Sequence, residues 1–269
     1  MREVTPRSPI AILLIVIAIG YAAILFIVPL IAVVQGAFAS GIEPILNTFR
    51  DPSVIHAFQV TLILSGAAVA INAILGLTTA WVLTRHRFRG RKLFDTLVDI
   101  PFVFSPVIAG YAMIVLFGRD GWLAPPLVPI VFALPGILLA KVFVSLPFVV
   151  REVQPVLQTL TPEQEEAAAT IGAGSFTTFR RVILPEIRTA LLYGIVLTFA
   201  RAIGEFGAVA VVSGNIEGYT ETATSYVYRA LNDRSTVGAY SVSVALCLLS
   251  IGILILMSTL RRRLSQEER

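Results

Sequence analysis

The sequence predicts an all-α polytopic membrane protein of six transmembrane helices with both termini cytoplasmic, and three observations carry that prediction. Of its 269 residues 56% are hydrophobic and 14% charged, at a mean hydropathy of +0.83, whereas soluble domains run to about 25% charged. Six apolar segments each reach the length of about 20 residues that a helix needs to cross a bilayer core. Lys and Arg, finally, concentrate in alternate connections between those segments.

The composition also excludes functions. Cys247 is the single cysteine, and His56 and His86 stand far apart, so no metal site is expected. A net charge of +4 could suit nucleic acid, but the basic residues flank apolar segments instead of forming one patch, and topology explains them better.

The first segment, roughly 10 to 35, follows Arg2 and Arg7 and precedes Ala37-Phe38-Ala39, the outline of a cleaved leader. Its apolar run exceeds the roughly 7 to 15 residues of a leader core, so a retained span is expected. Further spans are expected at about 58–84, 100–118, 127–150, 189–214 and 237–260. Pro29, Pro106, Pro135 and Pro147 imply kinks or breaks that neighbouring helices must accommodate.

Orientation follows from the positive charges. With the N-terminus inside, the inner segments hold Arg2 and Arg7, then Arg85, Arg87, Arg89, Arg91 and Lys92, then Arg151, Arg180, Arg181 and Arg188, then Arg261, Arg262, Arg263 and Arg269. The outer connections hold only Arg50, Arg119, Arg229 and Arg234, while Lys141 and Arg201 lie within spans. The whole chain, 1–269, reads as one membrane domain.

The longest inner connection, 151–188, contains TLTPEQEEAAATIGAGSFTTFRRVILPEI. Thr161 can cap a helix, Pro162 suits its first position, Gln164 completes a capping box and Gly172 provides a stop, which predicts a helix over 162–171. Ser175 is expected to cap a second short turn, and Pro185 to help start the fifth span. Ala167, Ala168 and Ala169 present so little side chain that another backbone could approach closely. That face is either a docking surface or simply an alanine-rich surface helix.

Glu166-Ala167-Ala168, three residues, Gly172, nine residues, then Val182-Ile183-Leu184-Pro185 resembles the EAA loop of ATP-binding-cassette importer permeases, with valine for the usual isoleucine. The resemblance implies the type I importer permease fold and a coupling helix that fits a cleft of a cytoplasmic ATPase, with Glu166, Ala167, Ala168 and Gly172 in that role. GIEPIL (41–46), DPSVIHAF (51–58), DIPFVFSPVIAG (99–110), PFVVREVQPV (147–156) and RAIGEFGAVAVVSGNIEG (201–218) resemble the W-type membrane subunits of sulfate and thiosulfate importers. Molybdate and tungstate permeases share the EAA loop and a similar GEFGA stretch. The partners implied are a T-type membrane subunit, an ATPase dimer and a periplasmic sulfate-binding protein. Gly172-Ala173-Gly174-Ser175 lacks the lysine and spacing of a phosphate-cradling loop. ATP and magnesium are therefore expected on the partner ATPase, with no cofactor in this chain.

Arg201 and Glu205 stand inside the fifth segment, Arg201 twelve residues after Thr189, about 18 Å along a helix. An arginine there costs about 2.5 to 3.5 kcal/mol if it faces lipid, so it must face protein or a pathway. Glu205, one turn on, can pair with it, and Asp99 and Lys141 are interhelical alternatives. Either Arg201 lines an anion path with Glu205 limiting its attraction, or the two neutralise each other at a helix interface. Ser105, Ser145 and Ser213 are pathway candidates by type, because a dianion needs hydroxyls, backbone amides or a partly neutralised base. The outer connection 217–236 is a docking surface for the binding protein or a plain connection. Nothing in the spans pairs serine with histidine or aspartate with aspartate, which disfavours an intramembrane enzyme. A secondary transporter or channel is the remaining alternative.

Overall fold

A computed structural model describes residues 9–123, 129–160 and 162–267; Thr161, the expected helix cap, and the start of the segment expected from 127 lie outside the described residues. Among the described residues every regular element is a helix. In order these are α1 (Pro9–Phe38), α2 (Ile42–Arg50), α3 (Pro52–Arg85), α4 (Arg91–Val98), α5 (Ile100–Val103), α6 (Pro106–Phe117) and α7 (Leu134–Thr159). There follow α8 (Pro162–Thr170), α9 (Ser175–Thr178), a π-helical turn (Phe179–Ile183), α10 (Leu184–Ile203), α11 (Gly207–Val212), α12 (Ala223–Asn232) and α13 (Thr236–Glu267).

Five helical stretches are long and apolar enough to cross a membrane by length and composition: α1, α3, α7, the run Ser175–Ile203, and α13 through Leu256. The segment expected at 100–118 is not one helix. Pro106 drives the residue before it away from helical geometry, Phe104 and Ser105 are extended, and α5 and α6 are separate. α6 has 12 residues, about 18 Å, against a hydrocarbon core of about 30 Å. The segment expected at 189–214 is also divided. Its helix begins earlier, at Leu184, ends at Ile203, and resumes as α11 after Gly204-Glu205-Phe206.

The fourth expected span forms α7, which begins at Leu134, with Pro135 in its first turn, and continues past 150 through Pro147 and Pro155 to Thr159. Residues expected in the inner connection are thus helical because Val153 and Leu157 are fully buried. Asp51 caps α3 by accepting the Ser53 N–H at 2.9 Å, so that helix starts six residues before its expected boundary.

The core is the trio α3, α7 and α10. Ala80, Leu83, Val149, Val150, Val153, Leu157, Ile183 and Ile187 form its largest cluster. Val149 lies between two glycines: a Cβ on Gly76 or Gly194 would stand 2.6 or 2.8 Å from it. Close backbone approach of this kind substitutes in membranes for the hydrophobic drive available in water. α6 and α11 pack on the α7 side, where Met113, Ala140, Val144, Ala208 and Val212 meet. α1 packs on α13, buries only Ala37 and leaves nearly its whole length exposed.

α8 and α12 sit beyond opposite ends of α3. Arg85, the last residue of α3, donates to the Leu160 carbonyl before α8 at 3.2 Å, whereas Val54 and Ala57 at its start pack with Ala223, Tyr226 and Ala230 of α12. About half of the connection 217–236 is thus the helix α12, capped by Thr222, whose hydroxyl accepts the Ser225 N–H.

Candidate functional site

α8 carries Glu166, Ala167 and Ala168 and closes in a Schellman motif. Gly172 takes φ +81°, its N–H donates to the Ala169 carbonyl at 3.0 Å, and the Ala173 N–H reaches the Ala168 carbonyl at 3.0 Å. Nothing lies within 4 Å of a Cβ at Gly172, so the demand there is on backbone conformation alone. Glu166, Ala167 and Gly172 are exposed while Ala168 turns inward. The helix packs chiefly on α9 and otherwise stands clear of the core. Ser175 does not cap the second turn: Gly174 occupies the cap position and Ser175 is the first helical residue.

Two residues that the sequence reading passed over flank this helix. Ile171 and Phe176 are 85% and 75% exposed. Large apolar side chains inside a polar connection were the available signal, and together with α8 they make a surface suited to a partner.

Pro185 sits in the first turn of α10, but the helix does not begin there, because it runs in from Ser175 through the π turn. Proline brings no N–H and crowds the carbonyl four residues earlier. The ladder adjusts by one residue just before it, the Leu184 N–H donating to the Phe179 carbonyl. Phe179 meets Trp81 of α3 edge-on at 5.9 Å and Ile183 is buried, so the elbow formed by α8, α9 and the π turn joins the core at this turn.

At the far end of α10 the helix breaks around Glu205. Arg201 Nη1 lies 2.5 Å from Glu205 Oε2, with the arginine 32% and the glutamate 1% exposed. Glu205 Oε1 also accepts the Ala208 N–H at 2.8 Å, placing a carboxylate at the start of α11. Lys141, fully buried on α7, donates to the Ala202 carbonyl at the end of α10 and to Ser65 Oγ at 3.2 Å. A cation thus closes one half-helix and an anion opens the next, which is how a break inside a membrane keeps its free backbone groups satisfied. The expected pair forms, Lys141 joins it, and Asp99 does not.

The protein-family model described as "Binding-protein-dependent transport system inner membrane component" matches residues 72–266, a span that includes the elbow and the break. The chain belongs to this family. It is 45% identical over 255 residues to the "Sulfate transport system permease protein CysW" of Synechocystis sp. (strain PCC 6803), covering 93% of this chain and 92% of that one. It is 37% identical to the "Sulfate transport system permease protein CysT" of Escherichia coli K12, covering 90% and 89%. In fold it resembles a chain of a bacterial alginate ABC transporter solved with a pentasaccharide-bound periplasmic protein, at a TM-score of 0.79 and 19% identity, covering 94% of each chain. The protein is a multi-pass inner-membrane component of an ABC importer, with the type I permease fold.

The remaining site candidates of this permease are dispersed. Ser105 is exposed in the α5–α6 break and makes no capping bond. Ser213 is buried in the turn after α11, where its hydroxyl donates to Asn215 Oδ1 and accepts the Asn215 N–H, both at 3.0 Å. Ser145 donates to the Lys141 carbonyl at 2.5 Å and accepts from Asn72 Nδ2 at 2.9 Å. Asp99 is bound instead by Arg151, whose Nε and Nη2 reach its two oxygens at 2.7 and 2.6 Å and whose Nη1 reaches Asp95 at 2.7 Å. At the α12 end, Arg229 grips the buried Glu221 at 2.7 and 3.0 Å. These hydrogen bonds, donated to Glu221, hold the guanidinium above its ordinary pKa.

Proposed function

We propose that this chain is one of two related membrane subunits of an ATP-driven importer that carries sulfate or thiosulfate across the inner membrane. The observation that carries the reading is the 45% identity, along nearly the whole of both chains, to a sulfate transport permease. The similarity to CysT, a second kind of sulfate transport permease, supports a T-type subunit as the other half. A periplasmic sulfate-binding protein would deliver the anion at the α12 end, and a cytoplasmic ATPase dimer would receive α8 in a cleft. Hydrolysis of ATP, with its magnesium, belongs to that dimer and not to this chain.

In this scheme the elbow and both termini lie in the cytoplasm, a reading supported by the distribution of positive charges. Glu166, Ala167 and Gly172 contact the ATPase while the inward-facing Ala168 backs the helix, and Pro185 with its π turn delivers the movement to α10. A pathway between the two membrane subunits then changes the side it faces. Arg201 is the pathway residue best supported, because its guanidinium keeps an exposed edge while Glu205 limits its charge. Ser213 and Ser145 are engaged within the chain and serve as support; Ser105 is free to face the path.

Uptake of radiolabelled sulfate in a strain lacking this chain tests the reading. Sulfate uptake falls and returns with the gene, and undiminished sulfate uptake with lost molybdate uptake would favour a molybdate or tungstate permease. Transport without ATP by liposomes containing this chain alone would indicate a secondary transporter or channel. Arg201→Gln is expected to abolish sulfate uptake while the ATPase still co-purifies; loss of the ATPase from the complex would assign the pair a structural role instead.

A further inference from the structure

The connection from α3 to α4 reads Arg85-His86-Arg87-Phe88-Arg89-Gly90-Arg91-Lys92. Arg87, Arg89 and Lys92 are exposed, and none of the three meets a carboxylate among the described residues. The chain turns at Gly90, with φ +89°, into α4, and the two faces of that helix are inverted relative to a helix in water. Its inward side carries Asp95, held by Arg151, and the buried Val98. Its outward side exposes Leu93, Phe94 and Leu97, extended by Phe88, whose ring stands edge-on to Phe94 at 6.3 Å.

Four large apolar side chains uncovered beside three unpaired cations fit neither water nor hydrocarbon alone. They fit the boundary between the two, where an apolar helix face enters the acyl region and cations reach the headgroup phosphates. The arm is at that level, since α3 ends at Arg85 and the next apolar segment starts at Ile100. We propose that residues 86–97 form an interfacial anchor that binds anionic phospholipid headgroups in the leaflet on the elbow side. Because α4 is tied through Asp95 and Asp99 to Arg151 on α7, bound lipid fixes the height of α7 in the bilayer.

Trp81 reports on the site, since its ring lies 5.8 Å from the Arg85 guanidinium and Trp122→Phe leaves it the sole tryptophan. The full chain in neutral detergent is titrated with brominated phosphatidylglycerol or brominated phosphatidylcholine, and quenching is followed. Phosphatidylglycerol quenches Trp81 at the lower lipid fraction, and added salt weakens the preference. R87Q/R89Q/K92Q removes it, at roughly fivefold per cation and on the order of a hundredfold in all. R87K/R89K keeps the charge and the preference, which separates loss of charge from loss of fold. Equal quenching by the two lipids, or an unchanged preference in the triple Gln variant, overturns the proposal. So does a triple variant that retains the preference but loses the co-purified ATPase, an outcome that makes the arm a protein contact.

Discussion

Lys141 shows how one buried charge can serve a backbone as well as another side chain. Its ammonium lies within a span, fully buried, and donates to the Ala202 carbonyl, whose bond from the Glu205 N–H at the break is long, at 3.4 Å. Lys141→Met removes that donor while keeping the stem's volume, and losing a hydrogen bond made by a charged group costs about 1.5 to 3 kcal/mol. The expected outcome is a lowered unfolding temperature in detergent, together with faster proteolysis around 204–206. Nothing in the sequence could name Ala202 as the partner of Lys141, because the contact joins positions 61 apart through a main-chain atom. The Arg201–Glu205 pair was legible, since a separation of four residues on an apolar helix places two charges on one face. That Glu205 also opens α11 was not, because hydropathy averaged over 189–214 conceals a three-residue interruption.

Among the elements, α8 is demanding in backbone and the α3–α7–α10 trio in volume. Gly172→Ala meets no steric obstacle but must hold φ +81°, a left-handed conformation that costs roughly 1 to 2 kcal/mol for an L residue. The fold should survive this change, with ATPase retention in a pull-down falling as α8 loses its closure. Gly194→Val instead drives a branched side chain against Val149, and overpacking of that kind costs about 1 to 3 kcal/mol. Lower yield of folded protein by size-exclusion chromatography is expected, with any residual protein unable to transport. The long helices were readable because burial in lipid and burial in protein both demand apolar residues. Their ends were less so: α7 overran its expected limit since Val153 and Leu157 bury against the trio, a tertiary reason absent from local composition. Conversely, the stop at Gly172 was visible in advance because glycine is what a left-handed closure requires.

For the molecule as a whole, the uneven distribution of contacts separates a rigid body from its attachments. α1 buries a single residue and touches the rest mainly through α13. A chain lacking residues 1–38 is therefore expected to keep the α3–α7–α10 core, with an unfolding temperature within a few degrees of the full protein. If α1 serves to embrace the second membrane subunit, co-purification of that subunit is lost at the same time. A collapse of the shortened chain would instead show that α1 supports the core through the bilayer.

Val149, wedged between Gly76 and Gly194, has a mechanical consequence. With no slack on either side, α3, α7 and α10 cannot roll past one another, so the trio behaves as a single lever arm. On the coupling scheme proposed above, a push applied at the elbow would travel along that arm without being absorbed. Compliance is left to the two places where the helices are already cut, Phe104–Ser105 and Gly204–Phe206, which makes these breaks the hinges and the trio between them the beam.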